Sequence, residues 1–186
     1  MIALITGGAR SGKSRFAERY AAALGASGLY LATSEVFDAE MRKRVDRHRE
    51  RRENSGFAWE TVEEPFDLSG VLAAAGHPVI LVDCLTLWLS NWLLRYENEE
   101  DPETLIWSRI EELTATLCGH AGTVLLVSNE VGDGVVPETK LGRQYRDLSG
   151  WMNQRVAEVS DQVFRVTAGI PVELKSLAFR LPEREV

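Results

Sequence analysis

The chain has 186 residues, enough to bury a single core without disulfide or metal staples. Its 21 Lys and Arg against 28 Asp and Glu leave a net charge of −7, which argues against a general nucleic-acid or anionic-membrane surface but leaves room for a local basic patch. The N-terminus shows no charged leader, the most apolar stretch (79–94) is broken by Asp83, Ser90 and Asn91, and Cys84 and Cys118 lack metal-ligand spacing. No signal peptide, membrane span or disulfide framework is expected, and the expected compartment is the cytoplasm.

The chain opens on Ile2-Ala3-Leu4-Ile5-Thr6, read as a first strand, and runs directly into Gly7-Gly8-Ala9-Arg10-Ser11-Gly12-Lys13-Ser14. This is a complete G-x-x-x-x-G-K-[ST] phosphate loop with a strand before it and a helix, 13–24, after it. The glycines allow a turn tight enough to aim successive backbone N–H groups at a polyphosphate. Lys13 supplies a point charge to the β- and γ-phosphates, Ser14 a hydroxyl ligand for Mg²⁺, and the helix the positive end of its dipole. The spacing therefore predicts a nucleoside triphosphate site.

A second strand is expected over 28–32, ending in Thr33-Ser34, and a charged helix over 36–53, broken by Asn54-Ser55-Gly56. A short strand (57–62) and a helix (66–75) precede Val79-Ile80-Leu81-Val82, an all-apolar strand of the kind buried on both faces of a parallel sheet. That strand closes on Asp83, a carboxylate delivered to the sheet edge beside the phosphate loop, where it reaches Mg²⁺ directly or through water. Helices over 85–96 and 102–118 flank an acidic linker. A strand over 123–127 leads into the loop 128–137, and a helix over 140–159 follows. A hairpin of 162–167 and 172–174 around Gly169-Ile170-Pro171 closes the domain. The pattern predicts a three-layer α/β phosphate-loop domain of the RecA-like kind, with a mainly parallel sheet over residues 1–175 and a tail over 176–186.

Seven of the 21 basic residues crowd between Arg42 and Arg52, and on a helix Arg44, Arg51 and Arg52 share the face of His48. Taken alone, the cluster reads as a solvated charged face with an incidental histidine. Read with the phosphate loop, it is a cationic surface for a triphosphate with an imidazole at its centre. Neighbouring positive charge keeps such an imidazole neutral and nucleophilic. His77 and His120 sit in turns and are assigned no chemistry. Cys84 reads as a small buried filler. Trp88, Trp92 and Trp107 read as core, with an interface as the alternative.

The phosphate loop, Leu31-Ala32-Thr33-Ser34, Glu40-Met41 with His48-Arg49, Ser128-Asn129-Glu130-Val131-Gly132 through Val136-Pro137-Glu138, Arg146-Asp147 and Asn153-Gln154-Arg155 follow one another as in one known family. From Met1 to about Lys175 the chain resembles the bifunctional adenosylcobinamide kinase/adenosylcobinamide-phosphate guanylyltransferases of cobalamin biosynthesis. It departs modestly: Asp83 stands where some relatives have Glu, and Arg47 where some have a second histidine.

The resemblance implies phosphorylation of adenosylcobinamide with ATP or GTP, then transfer of GMP from GTP to the product through a guanylylated histidine. By residue matching, His48 is that histidine and Lys13 the phosphate-binding catalytic lysine. Gly7, Gly8, Ala9, Arg10, Ser11, Gly12, Lys13 and Ser14 would bind nucleotide phosphates. Ala32, Thr33, Ser34, Arg49, Glu50, Arg51 and Arg52 would join them, with Glu63 at the guanine or ribose and Asp83 completing the site. Ser14 and Asp83 would hold Mg²⁺. The implied partners are the corrinoid substrate and further copies of the chain, as a homotrimer, with no nucleic acid. A single-activity small-molecule kinase with an inert His48, and a nucleotide-dependent switch protein, remain open alternatives.

Overall fold

A computed structural model describes residues 1–34, 52 and 56–179 of the chain. Its scaffold follows from short apolar segments with no polar face to turn to water. β1 (Ile2–Thr6), β4 (Val79–Asp83) and β5 (Thr123–Val127) are buried along nearly their whole length, which demands cover on both sides of the sheet. With β2 (Ser27–Ala32), β3 (Ala58–Glu63), β6 (Gln162–Thr167) and β7 (Ile170–Glu173) they form one seven-stranded sheet in the order β3-β2-β4-β5-β1-β6-β7. All neighbouring strands pair parallel except β6 and β7, which pair antiparallel.

Side chains alternate across the sheet and so build two cores. Ile2, Leu4, Leu31, Val82 and Leu126 face one way, against α2 (Leu68–Ala74), α3 (Leu85–Arg95), α4 (Pro102–Gly119) and α5 (Lys140–Val159). Ala3, Ile5, Leu81, Leu125 and Val127 face the other way, where α1 (Lys13–Leu24) lays Ala17 and Ala21 against the sheet. The result is the expected α/β architecture with a mostly parallel sheet and a C-terminal antiparallel hairpin. Trp88 and Trp92 belong to the core, and Trp107 packs against it while stacking on the more exposed Trp151 at 5.7 Å.

The strands and helices fall close to where the sequence puts them, with two corrections. Asp67 caps α2 by accepting from Gly70 N at 2.8 Å, so this helix starts at Leu68 and not at Phe66. The final hairpin turns on Ala168 and Gly169, at φ 51° and 82°, rather than around Gly169-Ile170-Pro171. Two left-handed residues match the strand twist, so the turn needs no third residue, and β7 begins at Ile170. Pro171 is tolerated because β7 is the edge strand. The helix expected over 36–53 lies outside the described residues, Arg52 excepted.

Glu173 fastens the end of this hairpin. One carboxylate oxygen accepts from Val163 N and Lys175 N, each at 3.0 Å, and the other from Ser176 N at 2.6 Å. These bonds, the Val163 amide first, hold its carboxyl down at about 2 from an ordinary 4.5. A depressed carboxylate stabilises the fold above its unfolded pKa and loses that contribution as pH falls through the folded value. Glu173→Gln is therefore expected to unfold at lower urea than the wild type at neutral pH. The gap should close as pH falls from 4.5 toward 2, followed by circular dichroism.

Candidate active site

Parallel pairing sets the site, because it delivers the carboxyl ends of neighbouring strands to one edge. Ala32 lies opposite Glu63 on one side and Asp83 on the other. Asp83 lies opposite Val127, and Val127 opposite Ile5. The Thr33-Ser34 segment, Glu63, Asp83, the phosphate loop and the loop after β5 thus share one rim.

The phosphate loop is shaped by close backbone contacts. Gly7 (φ 151°) has no room for a side chain, since a Cβ there would lie 2.4 Å from the Val166 carbonyl oxygen. Gly12 (φ 97°) lies against the hairpin turn, its Cβ position 3.1 Å from Gly169 Cα. Gly169 N donates to Ser11 O at 2.8 Å and Glu130 N to Gly7 O at 3.0 Å, pinning the loop from both sides. Gly8, Ala9 and Arg10 stay exposed at its tip. Lys13 is buried, with Nζ donating to Gly8 O at 3.2 Å, and Ser14 is half-buried in the first turn of α1. Gly12 at the N-cap of α1 makes no side-chain cap among the described residues, whereas Asp67, Asp101 and Thr139 cap α2, α4 and α5. The N-terminus of a helix without a side-chain cap suits an anion. The Ser11 hydroxyl is buried without a hydrogen-bond partner among the described residues, a donor the loop itself leaves unmet.

Beside the loop, Asp83 accepts from the Tyr30 hydroxyl through Oδ2 at 3.0 Å. Thr33 is fully buried and ties β2 to the end of β4. Its hydroxyl donates to Cys84 O at 2.7 Å and accepts from Cys84 N at 2.8 Å, while its amide donates to Asp83 O. Asn91 of α3 donates to Thr33 O and Pro65 O, closing the layer beneath. The Thr33 side chain therefore holds the rim in shape. Ser34 is partly exposed, Ala32 buried, and Glu63 exposed at the end of β3.

A second polar layer carries no titrating group at neutral pH. Asn129 donates to Thr86 Oγ1 at 2.6 Å, and Tyr145 OH to Thr86 O at 3.2 Å. Ser128 Oγ donates to Asn153 Oδ1 at 2.6 Å. Burial, then the Asp83 charge, pushes the Cys84 thiol up to about 11, so it stays a protonated filler. Burial pushes the Tyr145 phenol up to about 12, with the neighbouring Cys84 adding to it.

Tyr30 connects these parts. Its ring meets Trp59 edge-on at 5.9 Å, and the Arg52 guanidinium lies 3.5 Å over its centre. Burial first, then the Asp83 carboxylate, holds its phenol well above the ordinary value, so it remains a donor. Arg52 is itself buried, at 5% exposure. Of the basic segment only this residue is described; His48, Arg49, Glu50 and Arg51 lie outside the described residues. His77 and His120 are far from this chemistry, lining a concavity of about 700 Å³ between the C-terminal ends of α2 and α4, at the opposite edge of the sheet.

Sequence reasoning missed Tyr30, Thr86 and Asn91, whose roles depend on partners 43 to 58 residues away. It had a usable signal for Asn129: the apolar run 123–127 closing on Ser128-Asn129 repeats the pattern of 79–82 closing on Asp83.

Comparison with known proteins gives the family of the chain. The family model described as cobinamide kinase/cobinamide phosphate guanyltransferase matches residues 3–174. The chain is 47% identical to the bifunctional adenosylcobalamin biosynthesis protein CobP of Pseudomonas aeruginosa, over 92% of this chain and 96% of that protein. It is 40% identical to the bifunctional adenosylcobalamin biosynthesis protein CobU of Escherichia coli and 38% identical to that of Salmonella typhimurium, each over 94% of this chain and the full length of the relative. The chain belongs to the cobinamide kinase/cobinamide phosphate guanyltransferase family.

Proposed function

We propose that both family activities run on this one rim, through a single phosphate cradle. In the first, the hydroxyl of the aminopropanol arm of adenosylcobinamide attacks the γ-phosphorus of ATP or GTP. The β–γ bridging P–O bond breaks and a nucleoside diphosphate leaves. In the second, a ring nitrogen of neutral His48 attacks the α-phosphorus of GTP and pyrophosphate departs. A phosphate oxygen of adenosylcobinamide phosphate then displaces the imidazole, giving adenosylcobinamide-GDP and restoring His48.

The observation that carries the reading is the position of Arg52. It follows His48 by four residues and packs on Tyr30, whose hydroxyl holds Asp83 beside the phosphate loop. Arg52 is thereby linked through Tyr30 to Asp83, which supports a histidine four residues earlier in the chain acting at the same rim.

Lys13, the loop amides from Gly7 to Ser14, and Arg49, Glu50 and Arg51 bind the nucleotide in this reading, with Ser34 at the rim and Glu63 toward the ribose or guanine. Mg²⁺ takes few protein oxygens and keeps water and phosphate oxygens for the rest. The Ser14 hydroxyl and the Asp83 carboxylate fit that demand, as two hard donors at the rim with one Asp83 oxygen not engaged by Tyr30. The metal's contribution is charge neutralisation on the phosphates. The reading includes a cytoplasmic homotrimer, on the family resemblance. No helix of the described residues is long and apolar enough to cross a membrane.

Two expected outcomes follow. Lys13→Ala should lower kcat/KM of both reactions by about 10²-fold or more, since about 3 kcal/mol of transition-state stabilisation is lost from a shared cradle. Near-normal phosphoryl transfer by this variant would remove the loop from the active site. His48→Asn should abolish acid-labile, base-stable retention of label from α-labelled GTP after denaturation, while phosphorylation of adenosylcobinamide persists. Retention of label by His48→Asn would move the nucleophile elsewhere, and absence of label in the wild type would leave a single-activity kinase.

A further inference from the structure

Arg52 looks from the sequence like one more phosphate ligand, yet it is buried and its guanidinium carbon lies over the Tyr30 ring, 3.5 Å from its centre. Tyr30 is fixed on its remaining sides. Its backbone is locked in register opposite Thr61 and Leu81, Trp59 meets its ring edge-on, and its hydroxyl donates to Asp83 Oδ2 at 3.0 Å. No other side-chain hydrogen bond to Asp83 occurs among the described residues. A carboxylate at a strand end has free χ rotation unless something holds one oxygen. Here a neutral phenol holds it, without the competing charge an arginine would bring.

We propose that Arg52 and Tyr30 form a positioning pair, in which Arg52 anchors the end of the basic segment on the Tyr30 ring and the Tyr30 hydroxyl orients Asp83 toward the nucleotide-bound metal. Neither residue touches phosphate in this arrangement. The inference rests on the functional reading above and deepens it: the segment bearing the guanylyl acceptor is coupled to the carboxylate through one aromatic ring. A planar cation stacked on a desolvated ring is not replaced by an ammonium group, which is compact and strongly hydrated.

Tyr30→Phe keeps the ring and its stacking and removes only the hydroxyl. In the presence of a non-hydrolysable GTP analogue it should bind Mn²⁺, read by electron paramagnetic resonance, about tenfold more weakly than the wild type, the loss expected for one hydrogen bond to a charged group. Arg52→Met and Arg52→Lys should both lower the rate of labelling by α-labelled GTP by about tenfold more than they lower phosphoryl transfer. Unchanged Mn²⁺ affinity in Tyr30→Phe would overturn the orienting role. Wild-type labelling by Arg52→Lys, where charge alone suffices, would return Arg52 to the phosphate, and equal loss of both reactions in Arg52→Met would reduce the anchor to general stability. A wild-type protein that transfers neither group overturns the functional reading instead. The Mn²⁺ titration needs neither activity and still decides the role of Tyr30.

Discussion

The phosphate loop holds its form because its backbone leans on the β6–β7 hairpin at places where no side chain fits. Gly7 sits under the Val166 carbonyl, Gly12 against Gly169 Cα, and the Gly169 amide closes onto Ser11 O. A loop of this kind must keep most of its amides pointing at a ligand, and only one of them, Ser11 N donating to Gly8 O at 3.2 Å, closes it from within. Support has to come from outside, and here it comes from the far end of the chain. The hairpin, joined to β1 through β6, thus supports the phosphate loop through backbone contacts.

The same logic explains the polar layers under the rim. Buried polar atoms are costly unless paired. Thr33, Thr86, Asn91, Asn129, Ser128 and Asn153 pair with one another and with backbone after the strand ends. Each bond crosses between elements, so the layer acts as a set of spacers fixing the ends of β2, β4 and β5. Only uncharged groups are used for this. A charged spacer so close to the rim would compete with Lys13 for anions or with Asp83 for cations.

Much of this was legible in the chain. The apolar runs 2–6, 79–82 and 123–127 declared buried parallel strands, and the glycine spacing of 7–14 declared the phosphate loop, because both signals are local and periodic. The rest was hidden for physical reasons. Tyr30 sits in an apolar strand and looks like core until its hydroxyl is seen on Asp83. Thr33 reads as a phosphate contact because it ends a strand at the right edge, but its hydroxyl is fully occupied by the Cys84 backbone. Arg52 reads as one of seven equivalent cations, and sequence spacing cannot show which cation stacks on a ring. The turn at Ala168-Gly169 was misjudged because proline at 171 draws attention to itself, while an alanine at positive φ leaves no mark in the sequence.

In the proposed reading, two chemistries on one rim place a particular demand on the protein. The γ- and α-phosphorus atoms of one triphosphate lie on either side of the β-phosphate, and each displacement needs its own line of attack. A single rigid cradle can neutralise the chain of phosphates for both reactions, since charge stabilisation is indifferent to which bond breaks. A nucleophile is not indifferent: the corrinoid hydroxyl must approach one end, and the imidazole must approach the middle. Putting the imidazole on a separate segment allows this, provided that segment is tied to the cradle firmly enough to aim. Charge attraction between a cation and the carboxylates Glu63 and Asp83 at the rim has no preferred direction. Orientation needs a contact with shape, and the Arg52 guanidinium over the fixed Tyr30 ring has one.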